Sequence, residues 1–222
     1  MEKIIEILGL GNTVEFRNWG MNAASIGAVG TVAFTFIEGW GLWKQNEKIW
    51  NKKSGEAVSI KMFSYSLFSF VVLAIYGWHI RSLSSVFNGT AMAALYLPIL
   101  IGLWRFRGFT LTEKIQIPAM AMITAAMIFT PWQAEIFTAV GFGVTFSISL
   151  QARELWKAKS TGAVEVRMLI VLLLATVFWV TYAFAIGDIS LMAICSANLA
   201  AQTVTIAIWI RFYLKNRPQT AI

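Results

Sequence analysis

The chain has 222 residues, 58% hydrophobic and only 13% charged, with ten Trp and sixteen Phe. That is more apolar surface than one small core can hide, since a soluble domain is about a quarter charged. A formal charge of +7 can mark a nucleic-acid binder, but here it falls in loops between apolar runs, which sets that partner aside in favour of a lipid bilayer; the single cysteine, Cys195, excludes an internal disulfide.

In chain order, residues 1–17 mix acids and bases (Glu2, Lys3, Glu6, Glu15, Arg17) and lack the pattern of a signal peptide. Ile4, Ile5 and Leu8 suggest a turn or two of helix at the membrane interface. Seven apolar runs follow, near 18–43, 57–80, 83–104, 114–130, 133–152, 165–187 and 189–212. Each approaches the ~20 residues that cross a hydrocarbon core of ~30 Å. The expected fold is therefore an all-α membrane protein with seven transmembrane helices. Very short turns after the second, fourth and sixth runs make those consecutive helices antiparallel neighbours. The fourth run is the poorest, with Pro118 inside it and Pro131 just beyond, and an internal proline loses a hydrogen bond and tends to kink a helix.

The strongest internal signal is a repeat. Gln45 to Met62, read as a polar loop, returns 106 residues later as Gln151 to Met168 without a gap. Gln45/Gln151, Trp50/Trp156, Lys53/Lys159, Ser54/Ser160, Ala57/Ala163, Val58/Val164 and Met62/Met168 are identical, the mark of a duplicated unit.

Basic residues then set an orientation. Fifteen Lys and Arg fall in the loops after runs one, three and five and in the tail; only Lys3, Arg17 and Arg81 lie opposite. The positive-inside rule puts the N-terminus outside and the C-terminus in the cytoplasm, as in a multi-pass protein of a cell membrane. Trp19, Trp43, Trp78, Trp104, Trp132, Trp156 and Trp209 lie near run ends, as an aromatic belt requires. Trp179 stands apart, nine residues before Asp188 and so about 13 Å deep.

A glutamine opening a loop, Lys-Ser eight and nine residues on, then the small and β-branched run of KSGEAVS (Lys53 to Ser59), with Tyr76 and Tyr182 again 106 apart, resembles the PQ-loop family. The form is close to that of SWEET and SemiSWEET sugar transporters. The resemblance implies two parallel three-helix repeats joined by a linker helix. Residues 1–17 would be an extracytoplasmic segment, 18–113 the first repeat, 114–132 the linker helix, 133–213 the second repeat and 214–222 a cytoplasmic tail. The proline of the PQ pair is missing from both units, where Lys44 and Leu150 precede the glutamines, so Gly39 and Gly41, or Gly141 and Gly143, become candidate hinges.

The resemblance also implies a site. The substrate-stacking tryptophan falls on Trp179, whose counterpart in the first unit is Leu73. The third-helix asparagine of the first unit falls on Asn88, provided that the outer turn is one residue shorter than usual. The matching position in the second unit is Cys195, with Asn198 three residues further on. Gln45 and Gln151 would form a cytoplasmic gate. Independently of the resemblance, a sugar or nucleoside offers a face to stack and hydroxyls for amides, and neutral groups suit an uncharged solute. Packing for Trp179 and Cys195, and interhelical hydrogen bonding for Asn88 and Asn198, stand as alternatives.

Glu38, inside the first run on a stripe with Thr31 and Thr35, is costly there and by default marks function; its repeat equivalent is Val144. It is read as a proton-coupling site, as a partner for a cationic group, or as a structural hydrogen-bond acceptor. His79 and Asp188 are read as solvated groups of the outer rim.

No metal-ligand cluster, nucleophile elbow or phosphate loop is present in the sequence, so neither an enzyme nor a cofactor is expected. The leading reading is a sugar uniporter working by alternating access, in which one chain suffices for a pore and homo-oligomers stay open. A PnuC-type transporter of nicotinamide riboside, a PQ-loop exporter of cationic amino acids, and a non-transporting receptor or assembly subunit are the rivals.

Overall fold

A computed structural model of the protein describes residues 10–54, 59–159 and 166–216. Within them lie a 3-10 turn, Leu10–Asn12, and eight α-helices: α1 (Val14–Arg17), α2 (Ala23–Lys52), α3 (Ile60–His79), α4 (Leu83–Phe106), α5 (Leu111–Phe129), α6 (Gln133–Ala158), α7 (Val166–Ile186) and α8 (Ile189–Asn216). There is no strand among the described residues. Six helices, α2, α3, α4, α6, α7 and α8, are long and apolar enough to cross a membrane. The Pro118 helix α5 is not among them, though it continues through the proline.

Side-chain caps open most of these helices by accepting an otherwise orphaned N–H. Asn22 accepts from Ser25, Ser59 from Met62 and Ser82 from Ser85. Thr110 and Glu113 form a reciprocal capping box at α5, and Asp188 Oδ1 accepts from Leu191 N at 2.8 Å.

Two expectations are corrected. The stretch from Gln45 is not all loop, because α2 runs on to Lys52 and α6 to Ala158. Glutamine, glutamate and lysine are good helix formers, and no glycine or proline interrupts them before the turn. Both helices stop at a left-handed residue, Lys53 (φ 47°) and Lys159 (φ 50°). The first helix also starts later than residue 18, at the Asn22 cap. The turn around Ile4, Ile5 and Leu8 and the loop residues 55–58 and 160–165 lie outside the described residues.

The repeat is visible in the packing. α4 packs against both α2 and α3, and α8 against both α6 and α7, so each unit has its third helix in the middle. The units meet through α2 on α7 and through α3 on α6, while α5 lies mainly on α3. Local features recur at the same 106-residue offset. Trp50 meets Phe106 edge-on at 5.5 Å, and Trp156 meets Phe212 edge-on at 5.9 Å. Arg81 (φ 59°) and Gly187 (φ 72°) make equivalent left-handed turns before the third helices.

The two ends of the bundle differ. A core of Val72, Tyr76, Phe137, Val140, Ala183, Leu191, Ile194 and Cys195 joins the units towards the end that holds the turns before α4 and α8, here the turn end. At the opposite, lysine-rich loop end, Ile49, Ile60, Phe63, Ile99, Leu100 and Leu103 form a core within the first unit alone.

Gly27 sets the α2–α7 distance, since a Cβ there would sit 2.7 Å from the Tyr182 backbone nitrogen, whereas Gly41 faces open space. Gly27→Ala is expected to destabilise the fold by about 1–3 kcal/mol through overpacking, read as a lower midpoint of thermal unfolding in detergent. Gly41→Ala should leave that midpoint unchanged or raise it, by the ~0.5–1 kcal/mol that alanine gains over glycine in a helix.

Candidate functional site between the repeats

Burying a hydroxyl without a partner costs roughly 1–3 kcal/mol, so buried tyrosines point to where a helical bundle is held. Tyr76 and Tyr182 are both buried, and each reaches across to the other unit. The Tyr76 hydroxyl donates to Asp188 Oδ2 at 2.7 Å, on the residue that caps α8. The Tyr182 hydroxyl lies 2.7 Å from Ser82 Oγ, on the residue that caps α4. Ser82 and Asp188 are themselves 106 residues apart, so the two bonds are repeat equivalents that cross between the units. The Tyr76 ring also stacks on Phe137 of the second unit, with centroids 4.2 Å apart and planes within 10°.

Glu15, on α1, joins this arrangement. Its Oε1 accepts from Tyr182 at 2.6 Å and from the Ser84 N–H at 2.8 Å, and its Oε2 accepts from the Leu83 N–H at 3.0 Å. Burial pushes its pKa up, but the bonds from Tyr182, Ser84 and Leu83 outweigh it and hold the carboxyl below its ordinary value. A depressed carboxylate pKa stabilises the folded arrangement above the ordinary value. That contribution is lost only as pH falls through the depressed one.

The cluster joining the units brings together three of the residues expected to line a site. Cys195 is buried in it, and Leu73 and Trp179 pack against it half-buried. The Trp179 ring stands edge-on to Tyr182 at 6.1 Å. Along their helices these residues lie about 10–13 Å in from the turn end, directly beneath the crossed tyrosines.

The two asparagines make equivalent interhelical bonds. Asn88 Nδ2, buried, donates to Thr35 Oγ1 at 2.6 Å, and Thr145 Oγ1 donates to Asn198 Oδ1 at 2.6 Å. Each ties the third helix of a unit to its first. From one unit to the other, both partners shift by 110 residues instead of 106. The second pair thus sits one helical turn nearer the loop end. The caps Ser82 and Asp188 keep the common 106-residue offset, so within this chain Asn88 and Cys195 are not equivalent positions. The positional equivalent of Asn88 is Ile194.

The remaining expected residues are more dispersed. Glu38 is half-buried and makes no hydrogen bond or ion pair among the described residues. Gln45 is half-buried and Gln151 exposed, and no side-chain hydrogen bond joins them among the described residues. Gly141 and Gly143 lie inside an unbroken α6, where an added Cβ would run into Ile194 and Tyr65 respectively. The Tyr65 hydroxyl donates there to the Val140 carbonyl at 2.6 Å.

Sequence reading missed Ser82 and Glu15 and placed Asp188 among solvated groups. The shared offset of Tyr76/Tyr182 and Ser82/Asp188 was a usable signal. Nothing in the sequence pairs Glu15 with a residue 167 positions away.

Aromatic, amide and hydroxyl groups of the kinds found here can stack on and hydrogen-bond a small uncharged polar molecule. The helices define a polytopic membrane protein built from two like units. The family model described as "Sugar efflux transporter for intercellular exchange" matches residues 136–217, which span α6 to α8. The match makes the α6 to α8 part of the chain similar to that family of sugar efflux transporters. No curated protein is a match.

Removing Thr145 and Asn198 singly and together, as Thr145→Val and Asn198→Ala, should show a coupling of about 0.5–1.7 kcal/mol on stability, the range for interhelical bonds in membranes. Additive losses in that double-mutant cycle would deny the bond.

Proposed function

We propose that the protein is a transporter for a small neutral polar solute, a sugar first of all, moving it down its gradient by alternating access. On this reading α2 to α4 and α6 to α8 are parallel three-helix repeats, α5 is the linker that crosses the membrane between them, and the turn end faces outside. The observation that carries the reading is the crossed pair of tyrosine bonds, Tyr76 to Asp188 and Tyr182 to Ser82. They close one end of the interface between the units above Trp179. The family match over the second unit supports sugar as the solute.

Opening the turn end means breaking both bonds and the Tyr76–Phe137 stack, at ~1 kcal/mol for a neutral bond and more where a carboxylate accepts. Costs of that size allow two states to interconvert. Trp179 would stack on the sugar ring. Cys195 and Leu73 would shape the wall, and Asn88 and Asn198 would offer their remaining amide capacity to hydroxyls. Gln45 and Gln151 would approach each other only in the opposite state. Glu38, unpaired in the described state, is the residue through which a proton gradient would couple if one does.

Reconstituted into liposomes, the protein should equilibrate a labelled neutral sugar. Trp179→Ala should slow this at least tenfold, and Trp179→Phe less, in line with the ~1–3 kcal/mol of ring stacking. Tryptophan quenching by nicotinamide riboside but by no sugar would move the assignment to a vitamin-precursor transporter. Absence of flux for any small solute would overturn transport itself. Flux driven by a pH gradient and lost in Glu38→Gln would establish proton coupling, and flux indifferent to both would exclude it.

A further inference from the structure

The crossed tyrosine bonds are equivalent in position but unequal in chemistry. In the second unit one residue does two things. Asp188 caps α8 through Oδ1 and receives Tyr76 through Oδ2. The equivalent residue of the first unit is a serine, whose single oxygen accepts from Ser85 N at 3.1 Å and brings no charge to the start of α4. The missing carboxylate arrives from elsewhere in the chain. Glu15 takes two backbone N–H groups of α4, from Leu83 and Ser84, together with the Tyr182 hydroxyl. It is held there by a further bond from Val14 N to the Arg81 carbonyl at 3.0 Å, and Thr13, Val14 and Glu15 are all buried.

We infer that the segment ahead of the first long helix is a working part of the turn-end closure, and that Glu15 is a positioning residue which supplies to the first repeat the carboxylate that Asp188 supplies to the second. An anion at a helix N-terminus is favoured by the unpaired N–H groups and the helix dipole, and a tyrosine bonded to a carboxylate is held more firmly than one bonded to a hydroxyl. With Glu15 in place, both tyrosines end on a carboxylate that also caps the facing helix, and the two halves of the closure are matched. Without it, Tyr182 keeps only the neutral Ser82, and the closure is weaker on one side. This deepens the alternating-access reading and rests on it.

The only cysteine, Cys195, is buried beneath this closure and reports on it directly. With the full-length protein in liposomes, a membrane-impermeant maleimide added on the turn-end side should label Cys195 slowly in the parent. In Glu15→Gln it should do so about tenfold faster, the factor that loss of one charge-assisted bond brings. Adding Ser82→Asp to Glu15→Gln places a carboxylate where the second repeat carries its own, and should return labelling to near the parent rate. If Glu15→Gln is fast and Ser82→Asp does not slow it, Glu15 merely anchors the segment and the inference falls. If Glu15→Gln labels like the parent while Tyr76→Phe labels faster, the inference falls and the closure stands. If neither substitution speeds labelling, the closure reading itself fails.

Discussion

Two buried phenol hydroxyls, each bonded to the cap of the opposite unit's third helix, with Glu15 as a second partner for Tyr182, are the constraint on which the rest of the structure depends. In a bilayer no water is at hand for an abandoned hydroxyl, so the polar groups of a helical bundle must find one another. Tyr76 and Tyr182 do so across the interface between the units, and this requires α2 to lie on α7 and α3 on α6. Small residues make that approach feasible, Gly27 most plainly, where α2 comes against the backbone of Tyr182 itself. The apolar cluster around Val72, Phe137 and Ile194 then fills the space beneath.

The same constraint distinguishes the interface between the units from those within them. Within each unit the third helix is held to its neighbours by close packing and by a threonine–asparagine bond, Thr35 to Asn88 in one and Thr145 to Asn198 in the other. Between the units, α2 packs on α7 as closely as helices pack within a unit, an apolar cluster fills the seam, and the directional bonds and the Tyr76–Phe137 stack are gathered at its turn end. A rocking motion, as proposed, would move each unit as a body and repack this seam, because packed elements shift as bodies and do not deform continuously.

Much of this was legible in the sequence because it rests on periodicity. The apolar runs mark the long helices, and the repeat from Gln45 to Met62 implies the matched units whose packing recurs from α2–α4 to α6–α8. Trp179 was singled out for its depth, and it packs half-buried against the cluster that includes Cys195. What escaped has physical causes. The helices run past the apolar stretches to Lys52 and Ala158 because hydropathy ends where the bilayer ends, while backbone hydrogen bonding does not. The one-turn shift of the second threonine–asparagine pair is invisible to an alignment at a fixed offset. Glu15 looked like one charge among several because its partners are distant in sequence. Only the fold shows that a carboxylate missing from position 82 has been replaced from outside the repeat.

The central claim is that two like units move against each other about a site between them, closed at one end at a time. Spin labels on equivalent positions of the two units measure this directly: His79 with Ala185 at the turn end, and Asn51 with Lys157 at the loop end, in a chain with Cys195 replaced by alanine. In liposomes, adding a transported sugar should change the two distance distributions in opposite senses, one pair drawing apart as the other closes. Distances that stay fixed at both ends, or that lengthen and shorten together, would contradict the account.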